Sequence, residues 1–274
     1  MSLRIQIVSD LHVEFWDDNF KTSNIKPSAP ILALLGDTCC VSSDEDFNRF
    51  KKFIGICINS YEHIIIVPGN HEYYYNPPNS RAKPNENNTM DACERKLKTL
   101  AKTNSKLHYL NNNTMDISIN NVKYMIIGSV LWSWIPLERR THIKNSMNDY
   151  QYIFVNDKKN NIIRNVTPDE IASLHLKNRK YITKKINDAK KNGYKVIVLT
   201  HHKPYLKPNH DPSTYDSAYE SDLNILINKP VCLWGYGHTH IKDNRKINNV
   251  LVVSNPKGYP GQKTKFDKSF FIVL

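Results

Sequence analysis

The chain has 274 residues, 40% of them hydrophobic, and a formal net charge of +12. This composition excludes an intrinsically disordered chain and predicts a substantial core in a single domain over residues 1–274. No apolar run approaches the ~20 residues that a membrane-spanning helix needs, which excludes a helical membrane protein.

The positive charge favours anionic ligands such as phosphorylated metabolites or nucleic acid. The lysines are scattered rather than stacked in one block, so we interpret most of them as solvated surface residues. The five cysteines are odd in number and form no C-x-x-C pair, which indicates a reducing compartment. Since the N-terminal residues show no signal-peptide pattern, we expect a cytoplasmic protein.

Strands and helices are predicted to alternate along the first part of the chain. Five apolar runs predict strands covered on both faces, because Val, Ile and Leu follow one another almost without interruption. The runs are RIQIVS (4–9), PILALLG (30–36), HIIIVP (63–68), KVIVLT (195–200) and VCLWGY (231–236). Helical spacing and capping residues predict helices over 43–60, 91–103 and 167–193.

The pattern becomes more antiparallel after residue 115. Residues 116–133 predict two strands joined by a tight turn at Asn120 and Asn121. VLVVSN and SFFIVL predict two more short strands near the C-terminus. Two polar segments, 73–89 and 135–165, predict irregular loops, which in a compact domain are often functional. Together these elements predict a mixed, layered α/β fold.

Every one of the five apolar strands is followed by side chains that can bind a metal ion. In chain order they are Asp10 and His12, Asp37, Asn70 and His71, His201 and His202, and His238 and His240. Strand ends are where chemistry is located in open α/β folds. Carboxylates and imidazoles together suit divalent ions such as Mn, Fe, Zn and Co. Each motif alone is more often structural, but the five together indicate a metal site.

The glycines next to these motifs fit a crowded centre. Gly36, Gly69 and Gly237 lack a side chain and so permit close approach of the backbone. An aspartate such as Asp37 can bridge two ions, and two ions about 3.5–4 Å apart can clamp a phosphoryl group during displacement.

The order D-x-H, G-D, G-N-H-E, H, G-H-x-H resembles the signature of calcineurin-like metallophosphoesterases over essentially the whole chain. The chain looks most similar to a bacterial-type branch of small members, at residues 147–153, 167–175, 198–204 and 255–261. The resemblance implies an α-β-β-α sandwich of two mixed β-sheets flanked by helices. It also implies two divalent metal ions, with Mn²⁺ as the first candidate and Fe, Zn, Ni or Mg as alternatives.

The resemblance further implies seven metal ligands shared between two ions. They are Asp10, His12 and His240 for one ion, Asn70, His201 and His238 for the other, and Asp37 between both. A hydroxide held between the ions would attack phosphorus in line, and His71 would protonate the leaving group as the general acid. Two alternatives remain open: His71 only orients a neighbouring ligand, or His202 is the ligand in place of His201.

Substrate contacts are predicted at His202, Asn148 and Tyr150. The last two belong to the MNDY motif in segment 135–165, which could cover the site. The three tyrosines at 73–75 offer rings for stacking on a base, although packing is the commoner role of such residues.

These features predict a dinuclear metal-dependent phosphoester hydrolase that acts on a small phosphorylated or nucleotide-like substrate. Family analogy favours phosphodiesters, with a phosphomonoesterase as the alternative. A nucleic-acid-binding nuclease is a second alternative; the net charge favours it, but no RNA-binding motif, zinc finger or basic helix supports it. An inactive scaffold would be expected to lack ligands, and none is missing. We expect no membrane partner, and the sequence indicates no particular protein partner.

Overall fold

The computed structural model describes residues 2–17, 20, 24–76, 82–211 and 215–274, and the structural statements below concern these residues. Residues 77–81, within the predicted loop 73–89, therefore lie outside the described residues. Among the described residues, no helix combines the length and the apolar character that a membrane span requires.

Four parallel strands and one antiparallel edge strand form the first sheet. In spatial order they are β13 (Phe271–Val273), β1 (Arg4–Val8), β2 (Ile31–Leu35), β3 (His63–Val67) and β4 (Leu107–Tyr109). The first three parallel strands are the first three predicted apolar runs, so the prediction of buried parallel strands is confirmed.

The second sheet has a parallel centre between two antiparallel edges. In spatial order its strands are β11 (Asp243–Ile247), β12 (Val250–Ser254), β10 (Val231–Tyr236), β9 (Lys195–Thr200), β6 (Val122–Ser129) and β5 (Asn113–Ile119). The turn between β5 and β6 has φ of 49° at Asn120 and 63° at Asn121, the left-handed pair that a two-residue hairpin requires. The predicted hairpin is confirmed.

In the described part of the chain, six α-helices accompany the sheets. They are α1 (Asp44–Ile58), α2 (Met90–Ala101), α3 (Arg140–Ser146), α4 (Asp149–Tyr152), α5 (Pro168–Lys191) and α6 (Asp216–Tyr219). The predicted helices correspond to α1, α2 and α5 with ends shifted by one or two residues. Helix α5 begins as predicted: the Thr167 side chain accepts the Glu170 N–H, and the Glu170 carboxylate accepts the Thr167 N–H.

The two sheets pack face to face and the long helices cover their outer faces. Ile7, Leu35 and Ile65 of the first sheet lie in one buried core with Ile126 and Leu199 of the second. Because the intervening side chains face the helices instead, each central strand is buried on both faces, which explains its uninterrupted apolar sequence.

The outer cores complete the layers. Phe50 of α1 and Leu97 of α2 pack in one cluster with Leu34 of the first sheet. Ile182 of α5 packs in another with Val198 of the second sheet. The order of layers is helices, sheet, sheet, helix, and the predicted α-β-β-α sandwich is confirmed.

Segment 135–165 is more regular than its sequence indicates. It contains α3, α4 and a two-stranded antiparallel hairpin of β7 (Phe154–Asp157) and β8 (Ile162–Asn165). These elements have four to seven residues, too few for a hydrophobic period to be recognised. The charged edge strand β11 also escaped prediction, because three of its five side chains are exposed and it lacks an apolar run.

Candidate metal centre

The metal-capable residues converge where β1, β2, β3, β9 and β10 end. Within each sheet, backbone hydrogen bonds join the turns after these strands. The Asp10 N–H donates to the Gly36 carbonyl at 3.0 Å, and the Gly237 N–H donates to the His201 carbonyl at 2.9 Å. Five segments that are distant in sequence thus share one small region.

Most of these residues occupy the left-handed region of backbone conformation. The φ angles are 52° at Asp10, 48° at His12, 51° at Asp37, 68° at His238 and 52° at His240. Such a conformation is uncommon outside glycine, although Asp and His adopt it more often than other residues do. It costs on the order of 1–3 kcal/mol per residue and persists where surrounding structure enforces it, often at functional sites.

Two glycines show how closely the chain is packed around these residues. A Cβ atom at Gly36 would overlap the His201 ring, and Gly36 also has a φ of +81°. A Cβ atom at Gly69 would overlap the Asp37 carboxylate and lie 2.7 Å from the His201 ring. The expectation that these glycines permit close backbone approach is confirmed.

The first cluster consists of Asp10, His12 and His240. The Nε2 atoms of the two histidines are 3.4 Å apart, and His240 Nε2 is 3.4 Å from Asp10 Oδ1. His12 Nδ1 lies 3.1 Å from Glu14 Oε1, and His240 Nδ1 lies 2.7 Å from Gln262 Oε1. Since both oxygens accept, Nδ1 is the donor in the neutral form of either ring, and Nε2 of that form has a free lone pair.

The second cluster consists of Asp37, Asn70, His201 and His238. His201 Nε2 is 3.0 Å from Asn70 Oδ1, 3.1 Å from His238 Nδ1 and 3.4 Å from Asp37 Oδ1. His201 Nδ1 donates to the Leu35 carbonyl at 2.9 Å, so in the neutral ring Nε2 also presents a lone pair. Four atoms able to donate electron pairs therefore converge.

The two clusters adjoin each other. The His238 N–H donates to both carboxylate oxygens of Asp10, at 3.0 and 3.2 Å, and so connects the second cluster to the first. Burial alone would raise the pKa of Asp37, but His201 and His71 hold that pKa well below its usual value. Asp37 is therefore an anion between several imidazoles.

The donor set fits divalent cations. Lone pairs that face one another at about 3 Å repel unless a proton or a cation lies between them, and nitrogen with carboxylate and amide oxygen suits Mn, Fe, Zn or Co. Asp10, His12 and His240 form one group of potential ligand atoms, and Asp37, His201 and His238 form another. The structure thus brings together two adjacent groups of side chains that are each able to hold a metal ion.

The family model described as calcineurin-like phosphoesterase matches residues 3–242 of the chain. The chain belongs to this family. "Uncharacterized protein L509" of Acanthamoeba polyphaga mimivirus is 30% identical to it over 291 residues, which cover 98% of this chain and 95% of the relative. As a family member, the chain is a metal-dependent phosphoester hydrolase, and the resemblance seen in its sequence is confirmed.

A solved structure shares the fold of this calcineurin-like phosphoesterase. The crystal structure of phosphopantetheinyl hydrolase from Mycobacterium tuberculosis matches with a TM-score of 0.64 and 13% sequence identity, covering 100% of this chain and 95% of that one. At this identity the likeness concerns the fold alone.

His71 of the phosphoesterase lies beside the metal clusters and lines the adjoining cavity. Its Nδ1 is 3.4 Å from Glu14 Oε1, its Nε2 is 3.0 Å from the Tyr259 hydroxyl, and its ring stacks on Tyr74 at 4.2 Å. Burial lowers the pKa of His71, but Asp37 and Glu14 outweigh it and raise the pKa to about 9. In the metal-free protein the ring therefore holds a proton at neutral pH.

A cavity of about 430 Å³ opens over the clusters and is lined by both metal-capable and aromatic residues. Of the predicted substrate contacts, Asn148 lines this cavity. Tyr150 does not, because its side chain is only 5% exposed and belongs to the buried cluster that also contains Ile143 and Ile153. The buried position of Tyr150 therefore does not favour contact with the substrate.

His202 also lies away from the cavity lining. It is 1% exposed, its ring packs 4.1 Å from the His238 ring and 5.2 Å from Trp132, and its Nδ1 lies 3.3 Å from the Val130 carbonyl. Burial and the neighbouring His201 hold the pKa of His202 well below its usual value, so the ring is neutral. Of the two adjacent histidines, His201 is the one that joins the clustered donors.

Glu72 was not predicted as a site residue, yet it holds two turns of the site together. Its buried carboxylate accepts the N–H groups of Gly69 at 2.6 Å, Asp37 at 2.9 Å and Thr38 at 2.7 Å. It thereby fixes the turn after β2 against the turn after β3. The sequence signal that could have identified Glu72 is its position in the G-N-H-E motif.

The other residues whose roles the sequence did not indicate act behind the donors or on the rim. They are Glu14, Asp149, Tyr259 and Gln262. Glu14 accepts from both His12 and His71; burial raises its pKa, but hydrogen bonds to these histidines dominate and lower it to about 2. Asp149 and Tyr259 fall within the MNDY and NPKGYPG segments that resemble family members, a signal that marks a segment without giving a role.

Proposed function

We propose that this phosphoesterase is a dinuclear phosphodiesterase that uses Mn²⁺. The observation that carries the proposal is the pair of adjoining clusters, in which imidazole nitrogens and carboxylate or amide oxygens face one another at 3.0–3.4 Å. Asp10, His12 and His240 would hold one ion, Asn70, His201 and His238 the other, and Asp37 would contact both.

When bound, a pair of divalent ions neutralises charge on phosphoryl oxygens and supplies an activated water at neutral pH. The chain's own residues orient the substrate and handle its leaving group. Asn148 and Tyr219 line the cavity on one side, and Tyr259 and Gln262 on another. His71 points its Nε2 at the Tyr259 hydroxyl on the cavity side, where a departing ester oxygen could replace that hydroxyl as the acceptor of its proton.

A preference for diesters is supported by the charge of the cavity. Among the described residues that line it there is no lysine or arginine, whereas Tyr74, Tyr219, Tyr259 and Met147 provide neutral walls. A phosphate monoester carries about 1.5–2 negative charges at neutral pH and is commonly gripped by basic side chains. A diester carries one charge, and its second ester group can pack against the tyrosines.

The proposal is tested by comparing hydrolysis of bis-p-nitrophenyl phosphate and p-nitrophenyl phosphate by Mn²⁺-loaded protein, with Asp37→Asn as the control. We expect faster turnover of the diester and loss of both activities in the control. Faster monoester turnover would make the protein a phosphatase instead. Because a relative in fold is named a phosphopantetheinyl hydrolase, a phosphopantetheinylated carrier belongs in the substrate panel.

The net charge of +12 favours nucleic acid as a second candidate substrate. Binding through distributed lysines would weaken steeply as salt increases, because it depends on release of counterions from the phosphate backbone. Cleavage of single-stranded DNA or RNA with KM rising tenfold or more between 50 and about 200 mM salt would favour this alternative.

We also propose that residues 1–274 form one domain and that the protein works in the cytoplasm. Both sheets contribute donors to one centre, which supports the single domain. The five cysteines are free thiols, and burial raises the pKa of Cys57 and of Cys93 to about 12, consistent with unreactive thiols in a reducing compartment.

A further inference from the structure

A buried carboxylate outside the predicted ligand set lies behind the second cluster. Asp149, the first residue of α4, is 5% exposed and comes from the segment that covers the cavity. Its Oδ1 accepts a hydrogen bond from Asn70 Nδ2 at 2.9 Å and another from the Tyr74 hydroxyl at 2.5 Å. Burying a carboxylate is costly, and these two donors offset part of that cost.

These contacts fix which end of the Asn70 amide faces the second cluster. Asn70 Nδ2 has two hydrogens; one reaches Asp149 Oδ1, and the Tyr74 hydroxyl accepts at 3.0 Å from the same nitrogen. The carbonyl end, Oδ1, is left 3.0 Å from His201 Nε2. With the amide reversed, its oxygen would face a carboxylate oxygen, and its NH₂ group would occupy the place where a cation is expected.

We propose that Asp149, together with Tyr74, is a positioning residue for the second metal ion. The inference rests on the proposed function, because Asn70 is there a ligand of that ion. Asp149 acts through Asn70: it holds the amide in the one orientation that presents an oxygen to the ion. It also links occupancy of the second metal site to the placement of the neighbouring residue Asn148, which lines the cavity.

The first test is titration of the metal-free protein with Mn²⁺ alone, with free Mn²⁺ followed by its EPR signal. Partners that orient a ligand typically contribute 10–100-fold to metal affinity. We therefore expect Asp149→Ala to retain one site of unchanged affinity and to weaken the other by roughly that factor. Asp157→Asn is the matched control, because this carboxylate of the same segment bonds Arg164 and Asn160 rather than the cluster.

A double-mutant cycle separates positioning from general structural support. In the wild-type background, Asp149→Asn should weaken the second site several-fold, because the substituted side chain no longer presents a charged acceptor to Asn70. In Asn70→Asp, two carboxylates face each other, and adding Asp149→Asn supplies an amide donor to the new carboxylate. We expect the second substitution to strengthen Mn²⁺ binding there, so that its effect changes sign.

The outcomes distinguish the inference from the function on which it rests. Wild-type protein that binds fewer than two Mn²⁺ ions would contradict the dinuclear function itself. Two ions in the wild type, with unchanged affinities in Asp149→Ala, would overturn only the positioning role. A folded Asp149→Asn variant with the same loss in both backgrounds would also overturn it, because it would show structural support without coupling to position 70.

Discussion

At the scale of single residues, backbone strain and ligand chemistry coincide. Five of the seven proposed ligands have φ between 48° and 68°: Asp10, His12, Asp37, His238 and His240. A left-handed residue at a strand end turns the chain sharply, so that residues just beyond the strand can face the centre while their backbone bonds to neighbouring turns. The strain is thus part of how the donors are aimed.

The role proposed for His71 predicts a dependence on the leaving group. His71→Asn should lower kcat for a diester with a basic leaving group by roughly 10²–10⁴-fold, the usual contribution of a general acid. A nitrophenolate leaving group is stable without a proton, so kcat for a nitrophenyl diester should fall far less. Equal losses for both substrates, measured with saturating Mn²⁺, would indicate that His71 only orients Asn70 or a carboxylate.

Glu14 is predicted to support the first metal ion as Asp149 supports the second. Its Oε1 accepts from His12 Nδ1 at 3.1 Å, which leaves His12 Nε2 free to ligate. Glu14→Gln removes the charge that strengthens this hydrogen bond, so Mn²⁺ affinity at one site should fall by about 10–100-fold. The check is the Mn²⁺ titration described above, and combining Glu14→Gln with Asp149→Ala should weaken both sites.

At the scale of elements, the site is built from the turns that end the parallel strands. The strands deliver each turn to the same edge, and Glu72 joins two turns by accepting three backbone N–H groups. Because buried N–H groups need partners, this carboxylate determines where Asp37 lies relative to Asn70.

Glu72→Gln is therefore expected to affect both stability and metal binding. Its amide NH₂ cannot accept, so one backbone N–H loses its partner at a cost of about 1–3 kcal/mol in the free energy of unfolding. Mn²⁺ affinity should fall as well. Chemical denaturation measures the loss of stability, and metal titration of the same samples measures the loss of affinity.

Glu94→Gln provides the matched control for Glu72→Gln. Glu94 accepts from the hydroxyls of Tyr73 and Tyr109 and from the Asn111 amide, away from the donor clusters. The Glu94→Gln variant should lose stability and keep the Mn²⁺ affinity of the wild type. Similar affinities in the two variants would show that the turns hold their shape without Glu72.

The elements also show what could be predicted from the sequence. The buried strands and the donors after them were predictable, because both have strong local signals: apolar runs, followed by Asp, Asn and His. The supporting residues were not, since the contact of Asp149 with Asn70 spans 79 positions and depends on the path of segment 135–165. The burial of Tyr150 was not predictable for the same reason: its neighbour Asp149 contacts Asn70, while Tyr150 packs in the core.

At the scale of the whole molecule, the centre joins the two sheets. One sheet supplies the turns that carry Asp10, Asp37 and Asn70, and the other supplies those that carry His201 and His238. The ligands span residues 10 to 240, so the unfolded chain has no comparable site. Metal binding must therefore stabilise the native state as a whole.

This linkage predicts a metal-dependent unfolding transition. At a free Mn²⁺ concentration of 100 times Kd, each site should add about 2.7 kcal/mol to the free energy of unfolding, and a chelator should remove it. Asp37→Asn should lose most of this increment, because Asp37 is proposed to contact both ions. Denaturation with and without Mn²⁺ measures the difference directly. If both sites share Asp37, the stabilisation by Mn²⁺ should fall at both sites in Asp37→Asn. If Asp37→Asn keeps half of the Mn²⁺-dependent gain in the free energy of unfolding, Asp37 contacts a single ion.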